Sequence, residues 1–157
     1  PEGPHPVRMM VSMTEIQRRE QAIIDEFELF DDWMGRYEHL IDQAAKLPAI
    51  DEAFKTDAYK IRGCQSQVWL HAGRQNGQVV YTADSDAAIT KGLIALLIRV
   101  LSNLPPGEIV TADLRFLDAI EMKEHLSPTR KNGLNAMIKQ MKLYAAALSG
   151  ADHPHTA

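Results

Sequence analysis

Lys60-Ile61-Arg62-Gly63-Cys64-Gln65-Ser66-Gln67-Val68-Trp69 is the stretch on which the reading of this chain turns. It holds the single cysteine of the sequence. Two cations precede that cysteine, a glycine abuts it and a β-rich run follows it. Glycine accepts backbone angles that other residues resist, so the thiol is expected on a sharp loop just before a strand. Lys60 and Arg62 are placed to favour the thiolate, which is the nucleophilic form. A lone cysteine is commonly a small buried hydrophobe instead. Arg, Gly, Gln and Ser around it make a poor apolar pocket, and that setting favours a reactive thiol.

Downstream, Gln67 to Arg74 alternates as a strand, with Val68 and Leu70 on one face and Trp69 and His71 on the other. Asn76-Gly77 is a hairpin signal, because both central residues of that turn need positive φ. Gln78 to Ala83 returns as the partner strand. Tyr59 to Ile61 is expected as a third short strand, giving a small antiparallel three-stranded sheet that the cysteine enters at one end. Asp84-Ser85-Asp86 offers caps for a helix over Ala87 to Leu101, apolar nearly all round and therefore buried against the sheet. Pro105-Pro106-Gly107 breaks the chain, and Ile109 to Ile120 reads as an extended piece followed by a short helix. Ser127-Pro128 starts the last helix, whose stripe from Thr129 to Leu148 is Leu134, Met137, Ile138, Met141, Tyr144, Ala145 and Leu148.

Upstream, Thr14 with Gln17 fits a capping box, and Ile16, Ile23, Ile24 and Phe27 share one helical face. Asp31 and Asp32 cap a second helix with apolar positions from Trp33 to Ala45, which Pro48 ends. Ala49 to Asp57 reads as a loop. Residues 1–13, with three prolines and no period, are expected to be a disordered extension, and residues 150–157 a disordered tail. One folded domain is left, residues 14–149.

The 157 residues are 45% hydrophobic and 24% charged, which is ordinary for a soluble globular domain. A net charge of -4 leaves no basic footprint for nucleic acid. The longest apolar run is broken by Lys91 and Arg99, so no membrane span is expected. One cysteine excludes an internal disulfide and suits a reducing, cytoplasmic compartment. Neither a metal nor a cofactor site has recognisable spacing, and there is no phosphate loop or dinucleotide fingerprint. His71 is the one histidine whose strand could bring it to Cys64, as in acyl-transfer enzymes. Arg130 occupies the first turn of the last helix, where the dipole favours acids rather than a cation. It is either solvated or turned toward the cysteine loop, where it would stabilise a sulfur anion.

Three stretches together resemble the SufE family of sulfur-acceptor proteins. They are Ile61-Arg62-Gly63-Cys64-Gln65-Ser66-Gln67-Val68-Trp69, Asp84-Ser85-Asp86-Ala87 with Lys91-Gly92-Leu93, and Leu126-Ser127-Pro128-Thr129-Arg130-Lys131-Asn132-Gly133-Leu134. They occur in family order, and the resemblance runs from about Ile16 to Leu148. It implies an α+β fold with a small antiparallel sheet packed with helices, similar to the IscU scaffold. It implies that Cys64 takes sulfane sulfur from a SufS-like, pyridoxal-phosphate-dependent cysteine desulfurase, stimulates that enzyme, and passes sulfur toward iron–sulfur scaffold proteins. Pyridoxal phosphate would belong to the partner. Arg130 matches an arginine the family places near its cysteine, and Arg62, Gly63, Gln65 and Ser66 complete the expected sulfur-binding loop. The chain lacks a matching set of cluster ligands, so the scaffold role is not implied.

Three other readings stand beside it. A CsdE-like acceptor would feed another sulfur pathway. A Cys–His hydrolase or thiol peroxidase would use Cys64 with His71. In a structural adaptor, Cys64 would be incidental.

Overall fold

The structure is a computed structural model that describes residues 13–150. The tails expected at residues 1–13 and 150–157 lie, but for Met13 and Gly150, outside the described residues. The elements are α1 (Glu15–Phe27), α2 (Trp33–Gln43), β1 (Val68–Gln75), β2 (Gln78–Ser85), α3 (Ala88–Leu101), α4 (Pro106–Val110), α5 (Phe116–Ala119) and α6 (Pro128–Gly150).

The hairpin forms where the turn residues demand it. Asn76 and Gly77 take φ of 54° and 78°, and the strands pair from Val68↔Ser85 to Gln75↔Gln78. Positive φ at both turn residues matches the right-handed twist of the strands. Alternation then sorts the faces. Val68, Leu70, Val79 and Tyr81 are fully buried, while Trp69 and His71 are half-buried on the opposite face.

The sheet has two strands, not three. Lys60 makes a single bridge to Trp69, and the Ile61 N–H donates to the Val68 carbonyl at 2.8 Å. The pairing cannot extend. Asp57–Tyr59 is already wound into a 3-10 turn, and Gly63 at φ 92° turns the chain away on the other side. The expected loop at Ala49 to Asp57 also holds a 3-10 turn over Glu52–Phe54. Of the stretch Ile109 to Ile120, Ile109 and Val110 are not extended but end α4, whose first turn Pro106 presets, while the short helix expected after them is α5.

Helix α3 is the axis of the fold. It packs on β2, α1, α2 and α6, and most of its residues are buried. Its approach to α2 is set by Gly92: a Cβ there would lie 2.3 Å from the Leu40 carbonyl oxygen. The capping box at Thr14 and Gln17 and the Asp32 cap both form as the sequence indicated. Asp84-Ser85-Asp86 does something else. Ala87 is the cap residue of α3, Ser85 Oγ accepts from the Ala87 N–H, and Asp86 accepts from the Gln67 N–H at 3.0 Å. None of them caps a helical N–H of α3 directly: Ser85 holds the cap residue, and Asp86 ties Gln67, which follows the cysteine loop, to the start of the helix.

A polar clasp ties α3 to α1 and α2. Arg99 donates to both oxygens of Glu26 and, at 3.1 Å, to Gln43 Oε1; His39 Nε2 lies 3.0 Å from Glu26 Oε1. The Arg99 guanidinium, helped by His39, holds the Glu26 carboxyl down to about 2 against its desolvation. At the other end, Tyr81 OH donates to the Met141 carbonyl at 2.7 Å, joining the hairpin to α6.

Candidate functional site

Cys64 lies between two buried anchors, Ile61 and Val68. Gly63 supplies the left-handed turn that lays the loop on α6, close enough that a Cβ there would sit 3.3 Å from the Ala136 Cβ. Gly133 of α6 faces the thiol; a Cβ on it would lie 3.5 Å from Cys64 Sγ. The thiol donates to the Gly133 carbonyl at 3.6 Å, a bond only the protonated form can make.

Beside the thiol is a cleft of about 130 Å³. Gln65 and Ser66 continue the cysteine loop along its edge, Leu93 and Met137 give it an apolar floor, and Arg130 lies at its exposed mouth. Thr90, Ser127 and Thr129 bring hydroxyls to its lining. Ser127 is also the cap of α6: its Oγ accepts the Arg130 N–H at 3.2 Å. Of the residues expected from sequence, Cys64, Gln65, Ser66 and Arg130 meet in this cleft. Arg62 and Gly63 do not line it; Arg62 is exposed and Gly63 makes the turn.

The expected lowering of the thiol is not found. Cys64 is half-buried, and burial pushes its thiol above the ordinary range. Lys60 is paired with Asp57 at 3.2 Å instead. His71 does not approach the cysteine either. Its ring stacks on Phe54 at 3.8 Å and lies near Tyr59. A Cys–His pair is therefore not assembled.

Behind the loop, Asp84 binds Lys55 at 3.0 Å and Lys91 at 3.1 Å. Burial raises its pKa, but these two lysines outweigh that and keep it below the usual carboxylate range. Lys55 also covers the Trp69 ring at 5.2 Å, so Trp69 is a brace for the segment that carries Lys60. Its indole N–H is buried with no partner among the described residues.

Sequence reasoning passed over Thr90, Leu93, Ser127, Thr129, Gly133 and Met137 as cleft residues. Thr90 carried a usable signal, since it is the one hydroxyl in a largely apolar helix. The others read as caps or core. Among the described residues there is no group of three His, Cys, Asp or Glu side chains able to hold a metal ion. No helix there is long and apolar enough to cross a membrane.

The elements and the cleft define an α+β domain that presents one half-buried thiol between a hairpin and a long helix. Residues 21–145 match the SufE family, described as an Fe–S metabolism associated domain. An uncharacterized SufE-like protein of Synechocystis sp. is 40% identical over 125 residues, 80% of this chain and 79% of that one. A hypothetical protein from Thermus thermophilus, solved in solution, superposes with a TM-score of 0.70 at 19% identity, over 85% of this chain and 97% of that one. That last likeness speaks to the fold alone. The chain belongs to the SufE family, and membership implies a sulfur-acceptor role in Fe–S metabolism.

Proposed function

We propose that Cys64 accepts sulfane sulfur from the persulfide of a pyridoxal-phosphate-dependent cysteine desulfurase, stimulates that enzyme by clearing its persulfide, and hands the sulfur on to iron–sulfur cluster assembly. The observation that carries the proposal is the placement of the single thiol at a small cleft built by three separate elements. The step is thiol–disulfide exchange in kind: the Cys64 thiolate attacks the outer sulfur of the donor persulfide, the new S–S bond forms as the old one breaks, and the donor thiolate leaves. The proton lost by Cys64 balances the one regained by the donor, and no net oxidation occurs. Having one cysteine suits this chemistry, since a second thiol would attack the persulfide and release the sulfur.

The raised thiol fits a carrier that is inert until it docks. With its proton on and donated to Gly133, Cys64 is a poor nucleophile for stray oxidants. Arg130 at the mouth favours an approaching persulfide anion, and Gln65 and Ser66 border its path. The Cys–His hydrolase reading loses its base, because His71 is stacked on Phe54.

The test is mass spectrometry of the full chain after incubation with a desulfurase and cysteine. Wild type gains the mass of one sulfur atom on Cys64. Cys64→Ser gains nothing and keeps its fold. A serine variant that still gains sulfur refutes the proposal.

A further inference from the structure

We infer that the hydroxyl of the buried Thr90 side chain is the donor that holds the outer sulfur of a Cys64 persulfide inside the cleft. This deepens the sulfur-carrier reading and rests on it. Thr90 is 5% exposed and lines the same cleft as Cys64. Its hydroxyl makes no hydrogen bond among the described residues, and its oxygen is not one of the fully buried atoms left without a partner, so it opens to the cleft. Thr90 stands in the first turn of α3, where its hydroxyl has no helical carbonyl one turn back to donate to. The side chain is held by burial while its hydroxyl hydrogen is uncommitted, so an acceptor entering the cleft meets a donor already in place.

The surroundings select sulfur as that acceptor. The floor beside Thr90 is Leu93 and Met137, and Gly133 adds no side chain, so the inner end suits a large, polarisable, weakly hydrated atom. About 10–15 Å³ of such space holds one water, so about 130 Å³ admits an added sulfur atom with ease. A deprotonated persulfide carries its charge on the outer sulfur and accepts hydrogen bonds there. Thr90 is the donor it meets under cover, because Ser127 and Thr129 are exposed and Arg130 stands outside at the mouth.

The experiment loads the full chain with inorganic polysulfide, so that no desulfurase is needed. The Cys64 thiolate takes one sulfur, and the polysulfide leaves one atom shorter. Cyanide then removes the outer sulfur as thiocyanate and returns the Cys64 thiolate. Thr90→Val keeps the branched shape and removes the donor. It is expected to lose sulfur roughly tenfold faster than wild type, as for one modest hydrogen bond to an anion. Thr90→Ser restores the hydroxyl at the cost of a methyl group, and its rate returns to within about twofold of wild type. Equal rates for wild type and Thr90→Val overturn the inference. So does Thr90→Ser reacting as fast as the valine variant, which would mark Thr90 as packing. Failure of polysulfide to place sulfur on Cys64 overturns it as well. If polysulfide-loaded protein behaves as expected while a desulfurase leaves wild type unloaded, the Thr90 site stands and the carrier reading falls.

Discussion

Replacing Gly92 by alanine reverses the usual sign of that substitution in a helix. On propensity alone, Gly→Ala in a helix interior gains about 1 kcal/mol. Here the new Cβ would stand 2.3 Å from the Leu40 carbonyl oxygen and 2.9 Å from its carbon, both backbone atoms that no rotamer change can move. Relief requires α2 and α3 to part, which loosens fully buried neighbours such as Leu40 and Leu93. Overpacking of this kind costs about 1–3 kcal/mol, more where backbone must shift. The net expectation is a loss of about 2–3 kcal/mol, or a Tm lowered by roughly 5–10 °C for a chain of this size. Because α3 also carries Thr90 and Leu93, the variant should change the alkylation rate of Cys64. The assay is a thermal melt beside Gly107→Ala, a helical glycine whose Cβ would meet nothing within 4 Å and which should melt at or slightly above wild type. A Gly92→Ala melt equal to or above wild type would refute the reasoning.

Three further outcomes are expected. Glu26 is held at about 2 against an unfolded value of 4.5, so its contribution is fully present above pH 4.5 and is lost as pH falls toward 2. The shift corresponds to at most about 3 kcal/mol; urea unfolding across that window should be steeply pH-dependent in wild type and flatter in Glu26→Gln. Arg130 is exposed and on the mouth of the cleft, so Arg130→Ala should leave the melt within about 0.5 kcal/mol and slow desulfurase-dependent loading. Alkylation of Cys64 against pH should be half-complete above the ordinary thiol value in both proteins, because burial rather than Arg130 sets it. Normal loading in the alanine variant would return Arg130 to the solvated surface.

Local chemistry made much of this fold readable. Asn76-Gly77, Thr14 with Gln17, and Ser127-Pro128 each act within a few residues, and each formed. The third strand failed for a non-local reason: Lys60 pairs with Trp69 once, between a 3-10 turn and Gly63, and alternation over three residues carries no information about that. The loop residues of the site were visible because they surround the one cysteine. Thr90 and Met137 were not, because they reach the cleft from helices remote in sequence. The thiol's raised pKa was invisible too. Two cations nearby in sequence suggest a thiolate, whereas Lys60 is spent on Asp57 and burial of the thiol raises it.

One side of the cleft follows Cys64 by more than sixty residues of chain. Ser127, Thr129, Gly133 and Met137 are synthesised long after Cys64, and the Tyr81–Met141 bond that fastens α6 to the hairpin comes later still. While the protein is leaving the ribosome, the hairpin and α3 emerge with one side of the thiol bare. Protection of that sulfur is thus a property of the finished chain, and the interval before α6 docks is when an oxidant finds it most open.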